Sequence, residues 1–201
     1  VYAWRNLTDT QRADILAWRQ HLRFPWHSPP HRVSDRGVYH ITAACYRHQP
    51  VIGKSPARMA GFAEELVTCL SAHSSAIRAW CVLPNHYHAL VAAPDVRVLL
   101  SALGLLHGRT SYAWNGEDTC RGRQVWCKVA DRGMRSERHH WATLNYVHHN
   151  PVHHGYARRW QDWPYSSAAD YLASVGTEEA QRVWRDYPVR NYGKGWDDPS
   201  L

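Results

Sequence analysis

The chain has 201 residues, 44% of them hydrophobic and 20% charged, which suits one folded domain with a sizeable core plus extensions. No run of 18 apolar residues occurs and the polar stretch Val1 to Arg12 has no signal-peptide core, so no membrane-spanning helix and a cytoplasmic location are expected. A formal charge of +7, with 15 histidines besides, makes a polyanion the natural partner, although many basic proteins bind none.

Eleven Trp and eleven Tyr stand against two Phe. Amphipathic rings stack on unpaired bases as readily as they fill a core and its rim. Cys45, Cys69, Cys81, Cys120 and Cys127 form an odd set without a C-x-x-C, which reads as free thiols rather than a disulfide framework or zinc ribbon.

In chain order, Thr8 to Arg23 reads as a helix, and Pro25, Pro29 and Pro30 follow as a stiff connector. Residues 1–34 are therefore expected to be an appended helical arm. Gly37 to Arg47 is rich in β-branched and aromatic residues and reads as a first strand. Ser55 and Pro56 are a cap and a first-turn proline. Met59, Phe62, Leu66, Val67 and Leu70 then recur at helical spacing over 56–73. Ala76 to Leu83 is nearly continuous in apolar residues, as a central strand would be. Pro84-Asn85 turns the chain, and His86 to Ala93 returns as the partner strand.

A second helix is expected over about 95–108, with Gly104 and Gly108 weakening its end, then a loop over 109–123. Arg121, Arg123, Lys128, Arg132, Arg135 and Arg138 cluster around Val125, Trp126 and Val129, which reads as a basic edge strand. Such a strand tracks DNA phosphates or simply protects a sheet edge by its charge. Ser136 and Glu137 cap a third helix over about 137–149, which Pro151 is expected to stop. Trp141, Leu144 and Val147 form its apolar stripe, and Tyr146 and Asn150, four apart, share another face. A short helix from Ser166 to Leu172 packs back on the core, and 173–201 reads as a second appended arm. The main domain is thus expected to span 35–172.

The chemistry gathers at Pro84-Asn85-His86-Tyr87-His88. Strand alternation puts His86 and His88 on one face and Tyr87 on the other, and two neutral imidazoles a pleat apart can bind one divalent metal. Two half-exposed histidines are the plainer reading of the motif alone. A phenol at Tyr146 and a carboxamide at Asn150 add a nucleophile and an oxygen donor. That set suits phosphodiester chemistry with Mg²⁺ or Mn²⁺. A free phenol ionises near pH ~10, so Tyr146 needs a neighbouring cation or base. Arg132, Arg135, His148 and His149 are candidates by proximity.

The run from Trp80 to His88 and the run Tyr146-Val147-His148-His149-Asn150-Pro151 resemble the REP-associated tyrosine transposases, members of the HUH single-tyrosine group. Trp163-Pro164-Tyr165-Ser166-Ser167 and the opening Tyr39-His40-Ile41-Thr42 also look like that family, and the resemblance covers roughly 37–172. It implies an α+β fold, a ferredoxin-like antiparallel sheet with helices packed on one face. It also implies Tyr146 as nucleophile, His86, His88 and Asn150 as metal ligands, and single-stranded DNA folded into a hairpin as substrate. The chain would act as a monomer or homodimer. Two features depart from the pattern: Tyr87 is bulkier than the usual aliphatic between the histidines, and 1–34 and 173–201 have no counterpart. Two other readings stay open. One is a non-catalytic hairpin or single-stranded DNA-binding protein that keeps the fold. The other is a two-histidine phosphoesterase built on His40-Ile41-Thr42 and His73-Ser74-Ser75.

Overall fold

A computed structural model of the chain describes residues 37–190 and 192, with the isolated positions 8, 10, 13 and 17. The arm expected over 1–34 and the last residues of the expected tail lie outside these. Four strands form one antiparallel sheet: β1 (Val38–Ala44), β2 (Ala76–Val82), β3 (His86–Ala92) and β4 (Ala130–Gly133), in the order β2-β3-β1-β4. Helix α1 (Pro56–His73) joins β1 to β2, and α2 (Val96–Glu117) joins β3 to β4. This βαββαβ path, with the first and third strands side by side, is the expected ferredoxin-like α+β arrangement. Among the described residues no helix is long and apolar enough to cross a membrane.

Strand alternation builds two cores. Tyr39, Ile41 and Ala43 on β1, with Tyr87, Ala89 and Val91 on β3, face α1 and α2. There they pack against Phe62, Leu66, Leu70, Leu99, Leu103 and Leu106. The opposite face carries Ala79, Cys81 and Leu90 and packs against a third helix, α3 (Glu137–His153), through Leu144, Tyr146 and Val147. The sheet is therefore covered on both sides. α1 and α2 make the expected layer on one face, and α3 adds a second layer on the other.

Local signals explain the boundaries. Ser55 Oγ accepts from the Arg58 amide, Asp95 Oδ1 from Arg97, and Ser136 Oγ from His139, so each of α1, α2 and α3 starts on a side-chain cap. Helix α2 does not end at Gly108; it continues nine residues further, to Glu117, into the expected loop. Burial of Leu106, Thr110 and Trp114 outweighs a glycine penalty of about 1 kcal/mol at each site. Asp118, with a side chain 2% exposed, stops the helix by gathering Lys54, Arg58 and Arg123 at 2.6–2.7 Å, which holds its carboxyl well below the usual range.

Pro151 does not stop α3, which runs on to His153. The proline falls in the last turn, where its carbonyl accepts from the Tyr156 amide at 2.8 Å and closes the end. Asn150 thereby keeps its helical phase with Tyr146. The expected basic edge strand is reduced to β4, because Val125 and Trp126 turn inward to the core. The boundary at 172 is also crossed. Helix α4 (Ala168–Val175) runs over it, and α5 (Thr177–Asp186) follows. Asn145 on α3 donates to the carbonyls of Val183 and Tyr187, so this segment is part of the domain. The Trp163–Ser167 stretch lies along the outer edge of β2: Trp163 Nε1 donates to the Val82 carbonyl, and the Ser167 amide to Trp80. The edge strand is thus covered rather than exposed.

Candidate active site

The hairpin between β2 and β3 fixes the two histidines. The Leu83 amide donates to the His86 carbonyl, the Cys45 amide to Asn85, and the Gly53 amide to Pro84, so the turn is nailed from two sides. His86 and His88 then project to the α3 face, 2% and 0% exposed. Their ring centroids are 4.9 Å apart. Tyr87 points the other way, into the main core, where its hydroxyl meets His107 Nε2 at 3.2 Å.

Helix α3 brings Tyr146 and Asn150 onto the same spot. The Tyr146 ring stands edge-on to His88 at 5.1 Å, and Asn150 Oδ1 lies 3.1 Å from His86 Nε2. All four residues singled out in the sequence therefore meet. His86 Nδ1 faces Asn85 Oδ1 at 2.7 Å, which keeps the ring proton on Nδ1 and leaves Nε2 as a lone pair.

That lone pair faces a carboxamide oxygen, a second acceptor. Two acceptors at this distance call for a cation or a proton between them, and roughly 3 Å is the spacing of adjacent ligands on an ion with bonds of about 2.1 Å. Asn150 Nδ2 is buried without a hydrogen-bond partner among the described residues. Turning the amide over would pair Nδ2 with the imidazole and orphan the oxygen instead, so one end of Asn150 is unmatched either way. A carboxamide oxygen suits hard ions such as Mg²⁺ or Mn²⁺ whereas imidazoles suit transition ions, so of the two expected metals Mn²⁺ matches this donor set better. Among the described residues no group of three or more His, Cys, Asp or Glu is placed to hold a metal, so the set depends on that carboxamide.

The site also contains residues that sequence reasoning did not assign to it. His40 Nε2 lies 3.1 Å from His88 Nδ1, and the Tyr146 ring is 5.9 Å from His40. The His154 ring is 5.1 Å from His86. Tyr192 covers the phenol, with ring centroids 5.3 Å apart, and its hydroxyl pairs with Thr143 Oγ1 at 2.7 Å. Tyr146 is in consequence only 4% exposed. A cavity of about 650 Å³ opens beside it, lined by Tyr146, Asn150, His153, Trp184, Val189 and Tyr192. The alternation of β1 was a signal for His40, but its partner strand was not. Nothing in the local sequence marked Tyr192.

The basic residues divide. Arg121 donates to the Tyr112 carbonyl and lies over that ring, and Arg123 binds Asn115 and Asp118, so both hold the end of α2. Lys128 is exposed. Arg132 on β4 lies 5.9 Å from the Tyr192 ring, Arg135 is exposed just before α3, and Arg138 is exposed in its first turn. Of these residues, Arg132 lies against a residue of the site, Tyr192. His148 turns away, to Ser167 Oγ at 3.0 Å, and burial pushes it down to about 3. His73 bonds the Cys69 carbonyl at the end of α1, in the other layer, so the paired H-x-T/S site is not assembled.

Fold and site together define a ferredoxin-like domain with a histidine pair, a tyrosine and an asparagine gathered on the sheet face opposite the crossover helices. No family model matches the chain. It is similar to the REP-associated tyrosine transposase of Escherichia coli K12, 29% identical over 96 residues, covering 45% of this chain and 53% of that protein. It is also 30% identical over 98 residues to a Haemophilus influenzae protein provisionally given the same name, covering 43% of this chain and 55% of that one. The chain spans about half the length of the curated relatives it matches. A solved structure of a REP-associated tyrosine transposase bound to a REP hairpin shares its fold. The TM-score is 0.55 at 19% identity, over 73% of this chain and 86% of the other. These relatives carry the name of the family that the sequence motifs resemble.

Proposed function

We propose that the chain cleaves and rejoins single-stranded DNA at the foot of REP-type hairpins, through a 5′-phosphotyrosine on Tyr146. The observation that carries this reading is the meeting of Tyr146 with His88 and of Asn150 with His86, with Tyr146 and Asn150 lining one cavity. The Tyr146 oxygen attacks the phosphorus, the bond to the 3′ oxygen breaks, and the proton lost by the phenol is balanced by the one the 3′ oxygen takes up. A 3′ hydroxyl attacking the phosphotyrosine reverses the exchange and reseals a strand with no external energy source. His86, His88 and Asn150 would hold a divalent metal, which when bound polarises a non-bridging phosphate oxygen. Edge-on contact with His88 and the covering Tyr192 hold the phenol ring in one orientation. Arg132, Arg135 and Arg138 offer charge to the approaching backbone.

The test is a covalent adduct on a denaturing gel, with hairpin oligonucleotides from repeats around the gene and Mn²⁺ or Mg²⁺. Wild type is expected to shift and Tyr146→Phe is not, while both still bind the DNA. An adduct that persists in Tyr146→Phe overturns the assignment of the nucleophile. The near-complete cover over Tyr146 favours a second reading, a hairpin reader without chemistry. Tight binding by wild type with no adduct under either metal would select it.

A further inference from the structure

Behind α3, on the side away from the histidines, lies a second cavity of about 470 Å³. That is within the range of ligand pockets, about 300–1,000 Å³. Its walls are rings. His149 stacks on Trp184 with centroids 3.6 Å apart and 23° between planes, and on Trp160 at 5.4 Å and 30°. Tyr171 stands 6.4 Å from Trp160. Arg185, exposed, lines the cavity and makes no ion pair among the described residues. Gln161 lines it too and has a buried Oε1 with no hydrogen-bond partner among the described residues. The cavity of Tyr146 shares two of these wall residues, His149 and Trp184. His149 is three residues after Tyr146 on α3, less than one helical turn away.

We propose that this cavity receives one unpaired base of the DNA strand whose neighbouring phosphate lies against Tyr146. Flat ring walls select a flat ligand over an aliphatic one, and every base has a face to stack. The free guanidinium of Arg185 matches the backbone phosphate of such a nucleotide. The carboxamide of Gln161 matches the donor and acceptor edge. The shared wall of His149 and Trp184 sets the pocket beside the cavity of Tyr146, within reach of a strand engaged there. The inference rests on the proposed nuclease function for its choice of ligand.

The experiment is an abasic scan. A hairpin oligonucleotide with a single-stranded foot, from repeats around the gene, receives one abasic residue at each foot position in turn. Binding is read by fluorescence anisotropy without divalent metal. For wild type, one position is expected to weaken binding by about tenfold. Trp160→Ala is expected to weaken binding of intact DNA by a similar factor and to abolish the extra penalty at that position. Trp160→Phe, which keeps a ring, retains most of both. Gln161→Ala gives the same comparison without altering a stack, should Trp160→Ala fail to fold by circular dichroism. A flat scan, or a penalty that survives in full in both Trp160→Ala and Gln161→Ala, overturns the pocket. The adduct assay run in parallel separates the two proposals. An adduct with a flat scan sinks the pocket alone, whereas a sensitive position cancelled by Trp160→Ala without any adduct sinks the nuclease alone.

Discussion

His40 Nε2 lies 3.1 Å from His88 Nδ1 inside the sheet, with both residues at 2% exposure or less. One nitrogen must donate and the other accept, so the tautomers of the two rings are coupled. His88 is thereby oriented from β1, the strand next to its own. His40→Ala removes that partner and is expected to lower stability by about 1–3 kcal/mol. The check is a shifted denaturant midpoint at constant slope. On the proposed function it also weakens Mn²⁺ binding by about tenfold, read by calorimetry, and His40→Gln restores part of the loss. Unchanged metal affinity in His40→Ala would remove the residue from the site.

The cover over the phenol gives a second outcome. Tyr192 sits edge-on over Tyr146 and is tied to Thr143 and, at 3.4 Å, to His139. Tyr192→Ala is expected to expose the Tyr146 hydroxyl, and mass spectrometry after tyrosine acetylation measures it. Modification of Tyr146 should rise several-fold while the folded spectrum is retained. Equal modification in both proteins would mean that some other part of the chain shields the phenol.

Much of this arrangement was legible in the sequence, and the reasons are particular. Alternation over His86-Tyr87-His88 settled which side chains face together, because a strand admits only two faces. Helical spacing tied Asn150 to Tyr146, and the Ser55-Pro56 and Ser136-Glu137 signals marked true starts. What could not be read was pairing between distant segments. His40 joins His88 only because β1 lies against β3, and Tyr192 reaches Tyr146 only because α5 docks on Asn145. Gly108 and Pro151 misled for a different reason. Both are weak helix residues, and burial on neighbouring turns outweighed their local cost. The basic stretch misled because charge says nothing of partners: Arg123 is engaged by Asp118, whereas Arg135 and Arg138 are exposed.

His107 provides a pH-dependent outcome away from the site. It stacks on Trp126 at 4.2 Å, shares a hydrogen bond with the Tyr87 hydroxyl at 3.2 Å, and is pushed by burial from 6.5 down to about 3. The folded value is depressed, so below pH 6.5 the unfolded chain takes up a proton that the folded chain refuses. Stability is intact above 6.5 and falls progressively as the pH drops towards 3. At pH 5 the contribution lost is about 2 kcal/mol. His107→Gln keeps a hydrogen-bonding partner for Tyr87 and has no ionisation. Urea unfolding at pH 7 and pH 5 should therefore show a smaller difference in the variant, by about that amount. An identical difference in both proteins would place the acid sensitivity elsewhere.

Gly53 links the first crossover to the hairpin that carries His86 and His88. Its amide donates to the Pro84 carbonyl at 2.9 Å, and an added Cβ would lie 2.8 Å from Pro84 Cα and overlap the proline Cβ. Pro84 and Asn85 lead directly into His86, so pushing the turn away displaces the first histidine of the pair. Gly53→Ala is expected to cost about 1–3 kcal/mol by overpacking. It should also reduce adduct formation more than that loss of folded protein accounts for. Gly61, within α1, is the control: an added Cβ there meets nothing within 4 Å. Gly61→Ala should be neutral or stabilising by up to about 1 kcal/mol. Thermal unfolding of the two variants side by side decides the matter. If both move the same way, the close approach of Gly53 to Pro84 does not constrain the hairpin.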